Sequence, residues 1–191
     1  MNLVVFCVLL ALLLPAGLAW LPRLRTPMVL VLLLGLAGAL VASLLVVADW
    51  PALRPWAMVA CVVLAALGGG PVTAEVLARV RASADADARA ELVEEYASPE
   101  LADLAAEALA GPAKVVPAHL RGGKWIGVLE RLGVAASLVC GWPEGIAIVL
   151  AVKGLGRYPE LQQGSTERFI IGTFASVLFA AAACGVGLVA R

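Results

Sequence analysis

The chain has one histidine, and 15% of its residues are charged. That scarcity excludes more than it permits. His119 stands alone in a polar stretch, so a histidine-based metal site would lack partners, and no metal or other cofactor is expected. Cys7, Cys61, Cys140 and Cys184 lie within or beside apolar runs, with no metal-binding or redox spacing, and read as small hydrophobes. Lysine plus arginine balance aspartate plus glutamate at 14 each, and no basic stripe stands out, so nucleic acid is not an expected partner. The sequence has no serine–histidine pair, no phosphate-cradling glycine loop and no paired-aspartate motif. The first apolar run also lacks the positive start of a signal peptide, since Arg23 and Arg25 follow it.

What is abundant is apolar. Hydrophobic residues make up 62% of the chain and mean hydropathy is +0.98, far outside the soluble range. The pattern predicts an all-α polytopic transmembrane helical bundle of about six spans, with a short helical cytoplasmic insert. Residues 3–20, 28–48 and 57–72 are the first three apolar segments. Gly35, Ala39 and Ser43 make a small face on the second. Gly68-Gly69-Gly70-Pro71 predicts a break or kink in the third. Trp50 and Trp56 suit a membrane interface.

Residues 73–121 form the polar segment. Asp85–Tyr96 is alanine-rich and charged, which suits a helix. Ser98-Pro99-Glu100 reads as a second helix start, with Leu101, Leu104, Ala108 and Leu109 on one face and Gly111-Pro112 as the stop. A segment of this size is too small for an enzyme domain with its own core. The expected organisation is therefore a three-span anchor over 1–72, a cytoplasmic insert over 73–121, and a three-helix membrane unit over 122–191.

In that third unit, residues 121–160 read as two apolar arms joined at Gly141-Trp142-Pro143-Glu144-Gly145. Both arms carry charge: Glu130 and Arg131 in the first, Lys153 and Arg157 in the second. If Trp142 marks the outer interface, Glu130 lies about 18 Å and Lys153 about 15 Å below it, within an apolar slab about 30 Å thick. A charge near the centre of a span costs on the order of 3 kcal/mol, so such residues pair and often mark function. Glu130 is the expected partner of Lys153, and it shares a face with Gly133 and Ser137. Glu160 and Glu167 are the candidates for Arg157 and Arg131, and Arg168 adds another cation at the start of the last span, 169–190. Gly172, Ser176, Ala180 and Cys184 give that span a close-packing face. Gly122-Gly123 before Lys124 suggests an anion-binding turn, although two glycines alone do not specify one.

Orientation follows from the loop cations. With the N-terminus outside and six crossings, twelve fall inside (Arg23, Arg25, Arg79, Arg81, Arg89, Lys114, Arg121, Lys124, Arg131, Lys153, Arg157, Arg168) and two outside (Arg54, Arg191). Both termini are thus expected outside a bacterial inner membrane. A re-entrant 125–157 hairpin would leave every other segment on its side.

The blocks GGKWIGVLER, AVKGLGRYPEL and ERFIIGTFAS, between residues 122 and about 177, resemble an uncharacterised family of small bacterial multi-spanning membrane proteins, and the alanine- and valine-rich composition looks actinobacterial. The resemblance implies that the three blocks form one unit; it transfers no catalytic residue. Three readings of the charge cluster stay open: ion pairs that fix register and topology, a site for an anionic lipid or a phosphorylated lipid-linked molecule, and catalysis. One carboxylate among several cations resembles a phosphate clamp more than an acid–base pair. The expected role is non-enzymatic: binding an anionic lipid, or serving as a membrane subunit that packs on a partner protein or a second copy. The alternative is a small membrane enzyme or carrier acting on a lipid-linked phosphate at the inner leaflet.

Overall fold

The computed structural model describes residues 3–45, 51–96, 100, 101, 104, 123–160 and 166–189, with backbone only at 51, 95, 96, 124 and 157–160. Six long helices account for nearly all of these, and there is no strand among the described residues. They are α1 (Leu3–Leu18), α2 (Arg25–Leu45), α3 (Arg54–Tyr96), α4 (Gly123–Val139), α5 (Glu144–Glu160) and α6 (Thr166–Val189), with one 3₁₀ turn at Pro51–Leu53 before α3. The all-α class follows from the composition, because long apolar runs can satisfy their backbone in lipid only as helices or closed barrels.

Three helices among the described residues are long and apolar enough to cross a membrane: α2, the first part of α3, and α6. They mark a membrane protein. The outward side chains agree, since Leu34, Leu45, Phe174 and Leu178 are all well exposed, as lipid-facing residues are when no lipid is present. The inner stripes recur at helical spacing: Val5, Leu9, Leu12 and Ala16 on α1, Val29, Leu32, Leu36 and Ala39 on α2, and Ser176, Ala180, Ala183 and Cys184 on α6.

The bundle is built around α3, which packs most extensively on α6 and also on α1, α2 and α4. Small residues let it do so. A Cβ on Gly68 would lie 2.6 Å from the ring of Phe179, and one on Gly187 would lie 2.9 Å from Cys61 Sγ. The expected break at Gly68–Pro71 is not a break in the helix, which is assigned without interruption from Arg54 to Tyr96. Residues 85–96 are helical, as their composition suggests, but as the far end of α3 and not as a separate element. At 43 residues α3 outruns a bilayer, and beyond Leu77 it is largely exposed. The Ser98–Pro99 helix start lies outside the described residues; Leu101 and Leu104, just after it, are exposed.

The hairpin between α4 and α5 forms at the expected turn. Gly141 adopts φ 69°. Its N–H donates to Leu138 O (3.1 Å) and the Trp142 N–H donates to Ser137 O (2.8 Å). This double closure of a helix end needs a left-handed residue, which glycine supplies without strain. The return arm packs closely because Gly133 faces Val149, which a Cβ there would approach to 2.9 Å. Of the other helices, α5 packs substantially only on α4.

Candidate functional site: a cationic cavity at one end of the bundle

One half-open cavity of about 400 Å³ is lined by residues from five of the helices and from the turn that follows α1. The contributing parts are Ala19 and Trp20 just after α1, the first residue of α2, the middle of α3, the first half of α4, the second half of α5 and the start of α6. In an up-and-down bundle those parts lie on the same side. The cavity therefore collects charged residues that are far apart in sequence.

Arg131 is the most deeply placed of them, at 4% exposure. Arg131 and Glu130 are adjacent, and successive helical residues point about 100° apart, so Glu130 reaches α5 while Arg131 reaches α3. A helical side chain leans towards the N-terminus of its own helix, which carries Arg131 over Gly127. A Cβ there would be 3.2 Å from Nη1. The stem then lies directly against Gly69, where a Cβ would overlap Cδ, and Nη2 passes Gly70. The Nε–H donates to the carbonyl of Ala66 (2.9 Å), and Nη1 donates to Ser176 Oγ (3.4 Å).

That arrangement explains the glycine run before Pro71. Proline has no N–H to offer the carbonyl four residues earlier, that of Leu67. The indole N–H of Trp20 donates to that carbonyl instead (3.2 Å). The neighbouring carbonyl, Ala66, takes the Arg131 guanidinium. The glycines remove the side chains that would block this approach. What reads in the sequence as a kink is a seat for an arginine.

Lys153 is held differently. Its ammonium makes an ion pair with Glu130, both side chains are largely buried, and it lies 5.8 Å from the centroid of the Phe169 ring. Glu130 and Lys153 do meet across the α4–α5 hairpin, with the phenyl ring adding a cation–π contact from α6. Arg131 does not take Glu167, the acid at the start of α6. Its partners are a backbone carbonyl and a hydroxyl, and Glu167 is exposed. Arg168 is exposed yet borders the cavity, and it makes no ion pair among the described residues. Gly123 borders the cavity too. The positions of Gly122 and of the side chains of Lys124, Arg157 and Glu160 lie outside the described residues, as does His119.

Several residues of the cavity carry no signal as site residues in the sequence. Arg25 reads only as an orientation charge, and Ser176 only as part of a packing stripe. Trp20, Thr73 and Thr173 also line the wall. The carbonyl freed by Pro71 is the one local clue that a donor has to arrive from elsewhere. Glu75 on α3 stays out of the cavity; it accepts from Thr26 (3.2 Å) and pairs with Arg79 (3.3 Å), tying α2 to α3.

The described lining thus contains four cations, Arg25, Arg131, Lys153 and Arg168, and one carboxylate, Glu130, a balance of 4 − 1 = +3. No group of three or more histidine, cysteine, aspartate or glutamate residues suited to a metal ion occurs among the described residues. Such a wall attracts and orients an anion. Glu130, the one carboxylate of the described lining, is tied to a lysine, an arrangement poorly suited to acid–base work by that residue. No family model matches the chain, and no curated protein or solved structure matches it.

Proposed function

We propose that this is a non-enzymatic protein of the bacterial cytoplasmic membrane, crossing it about six times with both termini outside, and that its cavity binds the headgroup of an anionic lipid at the inner leaflet. The observation that carries this reading is the excess of positive charge on a half-open cavity at one end of an apolar bundle. Inner-leaflet headgroups are the anions met at that depth. The excess of lysine and arginine on the segments assigned to the inside supports the orientation. The cavity is of ordinary size for a ligand site.

The test is the lipid that travels with the protein. Purified wild-type protein should carry an anionic phospholipid enriched over the bulk membrane, and Arg131→Met should lose that enrichment, both read by mass spectrometry of extracted lipid. Bulk composition in both proteins would sink the reading. A membrane-subunit role is compatible with the same site, because the outward residues Ile148, Val152 and Leu155 of α5 leave an apolar face for lipid or for a second protein.

A further inference from the structure

The headgroup-binding reading leaves open which class of phosphate the cavity takes, and the unspent donors on its wall address that. We propose that the cavity is built for a phosphate carrying at least two negative charges, a phosphomonoester or a diphosphate, and not for the singly charged phosphodiester of bulk anionic phospholipids. This rests on the proposed headgroup site and goes beyond it by naming the phosphate.

Two observations carry it. The first is the set of donors left without a partner. Arg25 Nε and Thr173 Oγ1 are buried and have no hydrogen-bond partner among the described residues, and both residues line this cavity, one from α2 and the other from α6. Arg131 uses Nε and Nη1 on the protein and makes no further bond through Nη2 among the described residues. Buried polar groups are almost always satisfied, and leaving one unmade costs about 1–3 kcal/mol. Two such groups on residues of one cavity wall, with the unused Arg131 Nη2, suit an acceptor with several oxygens at different angles. A terminal phosphate presents three free oxygens. A phosphodiester presents two, with bulky substituents on the remaining sides.

The second observation is charge. Glu130 is committed to Lys153, which leaves Arg25, Arg131 and Arg168 as uncompensated cations of the described lining. A diester would neutralise one of the three. A phosphomonoester carries about −1.5 to −2 at pH 7, because its second ionisation lies near pH 6, and a diphosphate carries more. The match therefore improves with each added charge, and the guanidinium groups suit terminal phosphate geometry.

The experiment is a titration of delipidated full-length protein in a neutral detergent, read by native mass spectrometry. The probes are phosphatidate and phosphatidylglycerol with identical acyl chains, and inorganic diphosphate. Phosphatidate is expected to bind at least about tenfold more tightly than phosphatidylglycerol, the ratio for one added charge contact. Inorganic diphosphate is expected to displace it. Thr173→Val and Arg25→Gln should each shrink that ratio, and Thr173→Val, nearly isosteric, keeps the test open if the arginine variant fails to fold. Binding of inorganic diphosphate without phosphatidate would support the same chemistry drawn from solution. Equal affinity for the two lipids, or a ratio untouched by Thr173→Val, would overturn the inference while leaving the headgroup site standing. No binding of either lipid or of diphosphate would remove both.

Discussion

Arg131 and Lys153 border the same cavity, yet the protein holds them in opposite ways. Arg131 sits on the central side of α4 against α3, the helix that nearly every other element touches, and its partners are neutral: a backbone carbonyl and a serine hydroxyl. Lys153 sits on α5, the helix at the edge of the bundle, and its partner is a carboxylate. The arginine keeps its full charge available to the cavity. The lysine spends its charge on Glu130. The difference separates a charge left without a counter-charge, which the proposed reading gives to a ligand, from a charge paired across a hairpin, although both look alike in the sequence as cations misplaced in apolar arms.

Substitutions at the two seats should therefore behave differently. The largest effect is expected at the arginine. Arg131→Ala opens a void and empties two hydrogen bonds, and should cost about 2–4 kcal/mol of stability, measured as a lowered unfolding temperature in detergent. Arg131→Met fills the space without charge; buried ion sites often tolerate apolar replacements of similar volume, so it should fold yet lose the bound lipid. A Met variant that keeps its lipid would erase the distinction between the two cations. Next comes the seat itself. Gly69→Val drives a side chain into the arginine stem and should cost about 1–3 kcal/mol, while the same change at Gly185, where a Cβ meets nothing within 4 Å, should cost less.

The hairpin pair should matter less. Glu130→Gln strands Lys153 at the cavity wall and should lower stability by about 1 kcal/mol, less than for a sealed pair because both side chains keep some access to the cavity. Combined with Lys153→Met it should recover most of that loss, a positive coupling in a double-mutant cycle. Simple additivity of the two changes would show that the pair does not act as a unit. The smallest change is Trp20→Phe, which removes the donor to the Leu67 carbonyl and should cost about 1 kcal/mol.

How much of this was legible beforehand depends on the range of the cause. The helices are local: runs of apolar residues and a glycine at Gly141 specify where they lie and where the hairpin turns. The Glu130–Lys153 pair was legible because both residues are measured from the same turn, so their depths could be compared along two arms. The seat of Arg131 was not, since it joins α4 to a carbonyl on α3 more than sixty residues earlier. A glycine run before a proline announces a disturbed helix, but the same residues serve equally as a kink or as a recess, and only the arriving side chain decides. Arg25 and Thr173 were hidden for the same reason, because the packing of α2 against α6, and not their spacing in sequence, brings them to one wall.

The central claim is that an anionic headgroup lies beside Arg131, and photo-crosslinking tests it most directly. An anionic phospholipid with a photoreactive group on its headgroup, incorporated into membranes holding the full-length protein, should label peptides containing Gly123–Arg131 and Arg168–Ser176, and the labelling should be lost in Arg131→Met. Labelling confined to the outer faces of α2 and α5, unchanged in that variant, would contradict the account.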